Sequence, residues 1–152
     1  QDWSDWSFVD LCAGSGAMGL EALSRGAQKV WLNESNRTAF KVLEKNLERY
    51  KEKIGLDEQQ VVLSNRPFGL FLQQWSERSE DVVVYLDPPY EKHALYQEFW
   101  QAMHGFQGEV WVESDELKGV KLIDQRQQLN EVIKEVTQGS HWMLVGRAIA
   151  GR

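Results

Sequence analysis

The chain has 152 residues, 42% hydrophobic and 26% charged, which suits one globular domain. No apolar run approaches the ~20 residues of a membrane span, and no signal-peptide pattern opens the chain. Cys12 is the one cysteine, which excludes an internal disulfide and a cysteine-based metal site, so a reducing, cytoplasmic setting is expected. With 17 Lys and Arg against 23 Asp and Glu the net charge is −6. The chain therefore lacks the basic excess usual for a protein that grips naked nucleic acid.

Short apolar runs alternate with helical patterns. The first strand is expected over Ser7–Cys12, followed by a helix from about Ala17 to Arg25 that ends on Gly26 as a C-terminal cap. A second strand, Lys29–Asn33, leads into the clearest helix, Asn36–Tyr50. There Phe40, Leu43, Leu47 and Tyr50 recur at spacings of three and four and form one stripe. Strands at Val61–Leu63, Val82–Leu86 and Glu109–Glu113 follow, with weaker helices at Phe68–Gln74 and Leu95–Met103; residues 114–130 are polar and give no clear pattern. Several strands are near-continuous apolar runs, as expected when both faces are covered. This order implies a doubly wound, mostly parallel α/β sheet of seven strands. Its last two strands, Glu131–Val136 and His141–Val145, are separated by four residues. That is too few for a helical crossover, so they pair as an antiparallel hairpin.

"DLCAGSGAMGLEAL", residues 10–23, joins the first strand to the first helix, and Gly14, Gly16 and Gly19 satisfy G-x-G-x-x-G. Such glycines permit a tight turn and let backbone approach a ligand at the helix N-terminus. Glu34 ends the second strand 20 residues after Gly14, where an acid would accept hydrogen bonds from a ribose diol. The pattern points to an adenosine-containing cofactor, either a dinucleotide or S-adenosylmethionine. Asp10, four residues before Gly14, tilts the choice: it would repel a pyrophosphate but suits the ammonium group of S-adenosylmethionine. The terminal hairpin tilts it the same way. Asn65, after the third strand, could pair with an adenine edge or simply belong to a turn before Arg66-Pro67.

The fourth strand ends in Asp87-Pro88-Pro89-Tyr90. Ligands of open α/β sheets sit beyond the C-terminal strand edges, so Asp87 shares a rim with Gly14 and Glu34. An exocyclic base amine is a poor nucleophile because its lone pair is delocalised into the ring. Accepting its two N–H bonds, one on the Asp87 carboxylate and one on a main-chain carbonyl of Asp87 or Pro88, steers the nitrogen toward tetrahedral geometry. The prolines keep those acceptors rigid, and Tyr90 can stack on a flipped base. The combination signals amine N-methylation.

At these residues the chain resembles the class I S-adenosylmethionine-dependent methyltransferases, which have a Rossmann-like fold. More closely it looks like the bacterial family that methylates N2 of a guanine in small-subunit (16S) ribosomal RNA. "DLCAGSGAMGLEALSRGAQKVWLNE" is similar to that family's first motif through its second strand. "DVVVYLDPPY" is similar to its catalytic motif, and "VWVES" and "QGSHWMLV" to its closing strands. The resemblance implies cofactor contacts at Asp10, Ala13, Gly14, Gly16, Glu34 and Asn65. It implies catalytic roles for Asp87, Pro88 and Tyr90, and substrate contacts at Pro89 and Tyr90; His93 is a candidate phosphate contact or a solvated loop histidine. It also implies ribosomal RNA or an assembling small-subunit particle as partner, with neither membrane nor metal, and a monomer is expected. The family often has phenylalanine where Cys12 stands, and often a basic loop where this chain reads Glu91-Lys92-His93. It carries an N-terminal segment with basic residues and a helix over the cofactor. Six residues precede Ser7 here, so the chain is read as one domain over 1–152 that lacks that segment.

Other amines satisfy the same logic, namely adenine N6 in DNA or RNA and a protein glutamine amide. A nicotinamide-dependent oxidoreductase fits the glycine motif but leaves Asp87-Pro88-Pro89-Tyr90 unexplained. Cys12 is expected to be a packed thiol rather than a nucleophile, and His93, His104 and His141 show no metal-ligand spacing. Trp31, Trp111 and Trp142 are expected in the core, with Trp3 and Trp6 packing where the missing segment continues. Glu113 ends the fifth strand on the functional rim without an assigned role.

Overall fold

A run such as Val82-Val83-Val84-Tyr85-Leu86 has no polar face, so both of its faces must be covered by other elements. The computed structural model describes residues 3–149; the single-domain reading of 1–152 extends over residues 1–2 and 150–152, which lie outside them. The first half runs β1 (Ser7–Asp10), α1 (Ala17–Ser24), β2 (Val30–Asn33), α2 (Arg37–Ile54), β3 (Val61–Ser64) and α3 (Phe68–Gln74). The second half runs β4 (Val82–Leu86), α4 (Ala94–Ala102), β5 (Glu109–Asp115), α5 (Leu122–Arg126), β6 (Leu129–Gln138) and β7 (His141–Ile149). The strands form one seven-stranded sheet in the order β3-β2-β1-β4-β5-β7-β6. The first five are parallel, while β7 runs antiparallel to both β5 and β6.

The two faces of the sheet carry separate cores. Val9, Val84, Leu86, Val110 and Val112 pack with Phe68, Phe71 and Leu72 of α3 and with Tyr96, Phe99 and Trp100 of α4. Phe8, Val83 and Tyr85 alternate with them onto the other face, against Ala22 and Leu23 of α1 and Leu43 and Leu47 of α2. Trp31 and Trp142 are buried as expected, whereas Trp111 is half-buried, with Trp3 edge-on to it and to Phe8 at 5.7 Å. Trp3 is thus core, and Trp6 lies under the Arg147 guanidinium.

Element ends differ from the sequence expectation for local reasons. β1 stops at Asp10, because Asp10 turns its carboxylate to accept from the Cys12 N–H. The Asn36 side chain caps α2 by accepting from the Ala39 N–H, and the helix runs four residues past Tyr50 until left-handed Gly55 ends it. In the polar stretch 114–130, Ser114 and Asp115 accept from the N–H groups of Val120, Leu117 and Lys118 and build the turn before α5. The hairpin ladder extends to Gln138 opposite His141, around Gly139 at φ +62.

Helix α1 lies close to β2 because Gly19 has no side chain. A Cβ there would sit 2.2 Å from Leu32 Cδ2 and 3.0 Å from Val30 Cγ1, both on fully buried residues. Gly19→Ala should therefore lower stability by about 1–3 kcal/mol, as for an overpacked core. Urea unfolding monitored by tryptophan fluorescence would measure it; an unchanged midpoint would show that α1 can lift away at no cost.

Candidate active site

Parallel register brings the ends of β1, β2, β4 and β5 to one edge of the sheet. After β1 the chain turns at once: Ala13 N–H bonds the Asn33 carbonyl at 2.8 Å, and Gly16 N–H bonds the Ala13 carbonyl at 2.8 Å. Gly14 and Gly16 take left-handed φ of +54 and +86. A Cβ on Gly14 would meet no atom within 4 Å, so this backbone faces open space. The Gly14 N–H donates to Glu34 Oε1 at 2.9 Å, and the Asn36 N–H donates to Glu34 Oε2 at 2.8 Å. One carboxylate thus joins the glycine loop to the start of α2, and each oxygen keeps a lone pair for a further donor.

Sequence reasoning missed Asn33, the fully buried residue at the end of β2. Its amide donates to the carbonyls of Leu11 (3.2 Å) and Arg66 (2.8 Å), and its oxygen accepts from the Ser64 hydroxyl at 2.7 Å. It ties three strand ends together, and a buried asparagine closing an apolar strand was the available signal. Asn65 does something similar outside the core. Its amide donates to the carbonyls of Glu34 (2.6 Å) and Ser35 (3.2 Å), so the structure uses it to hold the acid loop.

A cleft of about 700 Å³ opens over this edge, lined among others by Cys12, Glu34, Phe68, Asp87, Pro88, Pro89 and Tyr90. Glu34 and Asp87, 53 positions apart, share it. Pro88 is buried and Pro89 exposed, so the pair is anchored on one side and presented on the other. The hydroxyls of Tyr90 and Tyr85 face the Asp87 carboxylate. Burial, reinforced by Glu113, nonetheless leaves its proton affinity above the ordinary range. Burial, with the nearby acids, also pushes the Cys12 thiol up, which keeps it a neutral packing group. His93 lies outside this cleft and bonds the Lys118 carbonyl at 3.0 Å through Nε2. Asp10 is buried, 2% exposed. Burial drives its carboxyl from the ordinary 3.8 up to about 8; the Cys12 N–H opposes this, while Asp87, Glu34 and Glu113 add to it. Among the described residues no cluster of three or more His, Cys, Asp or Glu could hold a metal ion, and no helix is long and apolar enough to cross a membrane.

A strand order of 3-2-1-4-5-7-6 with an antiparallel seventh strand, a glycine turn after β1 and an acid after β2 defines the class I methyltransferase fold. The chain belongs to the family described as conserved hypothetical protein 95, whose model matches residues 1–145. It is 39% identical over 82 residues to Ribosomal RNA small subunit methyltransferase D of Haemophilus influenzae, an alignment covering 54% of this chain and 40% of that relative's length. A solved structure from the same organism, provisionally designated a methylase, superposes with a TM-score of 0.75 at 25% identity, covering 97% of this chain and 89% of that one. Trm1 from Pyrococcus horikoshii, solved with S-adenosyl-L-methionine, shares the fold at TM-score 0.69 and 12% identity, over 96% of this chain and 51% of that one.

The buried Asp10 makes stability depend on pH. Its proton is held more tightly in the folded state, about 8, than at the ordinary 3.8, so its stabilising contribution is complete below about pH 4 and is lost as pH rises through about 8. Asp10→Asn should therefore gain stability relative to the parent as pH is raised from 5 to 8. Parallel stability curves in urea titrations across that range would contradict the assignment.

Proposed function

We propose that this protein transfers the methyl group of S-adenosylmethionine to the exocyclic N2 amine of a guanine in small-subunit ribosomal RNA. The carrying observation is that Asp87, at the stop of a fully buried strand, shares one cleft with Glu34 and with Leu11 and Cys12, which lead into the glycine turn. The volume, about 700 Å³, is ordinary for a small-molecule site. The open space at Gly14 and the spare acceptor capacity of Glu34 fit a nucleoside with an amino-acid tail. Kinship with a ribosomal RNA methyltransferase supports the substrate class, and the motif resemblance supports the N2 amine.

Bound S-adenosylmethionine supplies an electrophilic methyl on a sulfonium. Glu34 would accept from the ribose hydroxyls while keeping its hold on the Gly14 and Asn36 N–H groups. Asp10 would face the ammonium group, and a cation there draws the proton off its carboxyl, so cofactor affinity rises with pH toward about 8. Asp87 would accept one N–H of the target amine and a main-chain carbonyl of Asp87 or Pro88 the other, aiming the nitrogen lone pair at the methyl. To bind there the amine takes over acceptor positions that the Tyr90 hydroxyl faces. That frees the Tyr90 ring to turn onto the base. Transfer is a direct displacement. The N–C bond forms as the C–S bond breaks, the bonding pair leaves with sulfur, and the methylated amine gives up a proton, for which Asp87 is a suitably basic acceptor. Pro89, Tyr90 and His93 would contact the RNA, and the protein would act as a cytoplasmic monomer on RNA or an assembling particle. A structured particle also accommodates a net charge of −6.

Methylation of undermodified ribosomal RNA and particles, with mass spectrometry of the digested nucleosides, names base and atom together. N6-methyladenosine in place of N2-methylguanosine would move the substrate, and no nucleoside product would remove it. Asp87→Ala should abolish transfer while S-adenosylhomocysteine affinity stays within a few fold; substantial residual activity would end the amine-holding role. Glu34→Ala should weaken cofactor binding by about 1–3 kcal/mol in calorimetry, the range for a lost charge-assisted hydrogen bond. Unchanged affinity would take Glu34 out of the site.

A further inference from the structure

Glu113 lies at the same sheet edge as Asp87 but not in the lining of the cleft. The β4–β5 register sets Tyr85 opposite Trp111 and Leu86 opposite Val112, so Asp87, the next residue after β4, comes close enough to feel the charge of Glu113. Two carboxylates so placed repel, and their proximity needs an account. The Glu113 side chain, 16% exposed, is bonded at both oxygens: Oε2 accepts from the Tyr85 hydroxyl, and Oε1 pairs with His141 Nε2 at 2.8 Å. Its main-chain carbonyl accepts from the Tyr96 hydroxyl at 2.8 Å. Partners from β4, α4 and β7 thus converge on one residue of β5. His141 reaches it because Met143 stands opposite Glu113 in the antiparallel ladder, which makes His141 a diagonal neighbour on the same face.

The same partners surround Asp87. Tyr85 and Tyr90 both turn their hydroxyls toward its carboxylate. The His141 ring lies 6.0 Å from that of Tyr90, with the planes inclined at 41°. A tyrosine hydroxyl has one proton to donate. In this structure Tyr85 donates it to Glu113, so Asp87 does not receive it. With Glu113 absent, that proton has one nearby carboxylate left, and the Tyr85 hydroxyl would occupy an acceptor position that the substrate amine needs.

We propose that Glu113 is a positioning residue for methyl transfer: it takes the single proton of Tyr85 and, through His141, braces Tyr90, so that the Asp87 carboxylate stays open to the substrate amine. The proposal rests on the amine-holding role of Asp87 given above and adds the groups that keep Asp87 available. It also accounts for the two acids at adjoining strand ends. The second carboxylate competes for a donor that would otherwise block the first.

The test is a set of four variants, Glu113→Ala, Glu113→Gln, Tyr85→Phe and the double Glu113→Ala, Tyr85→Phe, measured in two ways. With undermodified ribosomal particles as substrate, Glu113→Ala should lower kcat by up to about 100-fold, the scale of a small misplacement of reacting groups. S-adenosylhomocysteine affinity should hold. Glu113→Gln, which still accepts from Tyr85, should be faster than Glu113→Ala, and adding Tyr85→Phe to Glu113→Ala should recover most of the loss. A merely structural Glu113 predicts a double variant slower than either single one, and that result would overturn the proposal. The second measurement needs no substrate: titration of the Asp87 carboxyl carbon by 13C NMR. Its midpoint should fall in Glu113→Ala and rise again in the double variant; a midpoint indifferent to Tyr85→Phe would overturn the proposal even if the natural substrate proved to be another amine. Should the parent methylate no guanine while the midpoints move as stated, the RNA assignment fails and the network stands.

Discussion

Three parallel strands of this sheet end on or beside a carboxylate, Asp10, Glu34 and Asp87, and a fourth, β5, carries Glu113 near the same edge. Like charges gathered in a half-buried place are unfavourable, and most of the local architecture answers that constraint. Glu34 accepts from two backbone N–H groups, Glu113 accepts from the Tyr85 hydroxyl and pairs with His141, and Asp87 faces the Tyr90 hydroxyl. Asp10, which has a single backbone partner, holds a proton instead. The result is a rim rich in acceptors, prepared for a ligand that brings donors and positive charge. A sulfonium with an ammonium tail and an exocyclic amine are both of that kind.

The electrostatics also explain how one sheet edge separates its tasks. Glu34 and the glycine turn are hydrogen-bonded to each other, so the side of the cleft where the proposal sets the nucleoside is preorganised. The side around Asp87, where the proposal sets the amine, is held by side chains from several elements and can adjust, because Tyr90 is half-exposed and leans on His141. Rigid prolines between the two keep Asp87 in register with both.

Much of this was legible in the chain. The apolar runs, the glycine spacing, the acid 20 residues on and the two prolines are local signals, and the parallel rule puts them on one rim. The structure adds contacts that the sequence does not show. Asn65 bonds the Glu34 loop, and His93 bonds the Lys118 carbonyl away from the main cleft. The polar stretch after β5 was opaque because Ser114 and Asp115 build its turn with side-chain oxygens, which leave no periodic pattern.

The sequence by itself determined the alternation of strands and helices, the antiparallel hairpin and the identity of the rim acids, since each depends on neighbours a few residues apart. Only the tertiary structure decided what those acids do to one another. Which carboxylate keeps a proton and which receives the Tyr85 hydroxyl depends on burial and on distant partners such as Tyr85 and Glu113, 28 residues apart. Partners at that separation meet only when the sheet has closed its register.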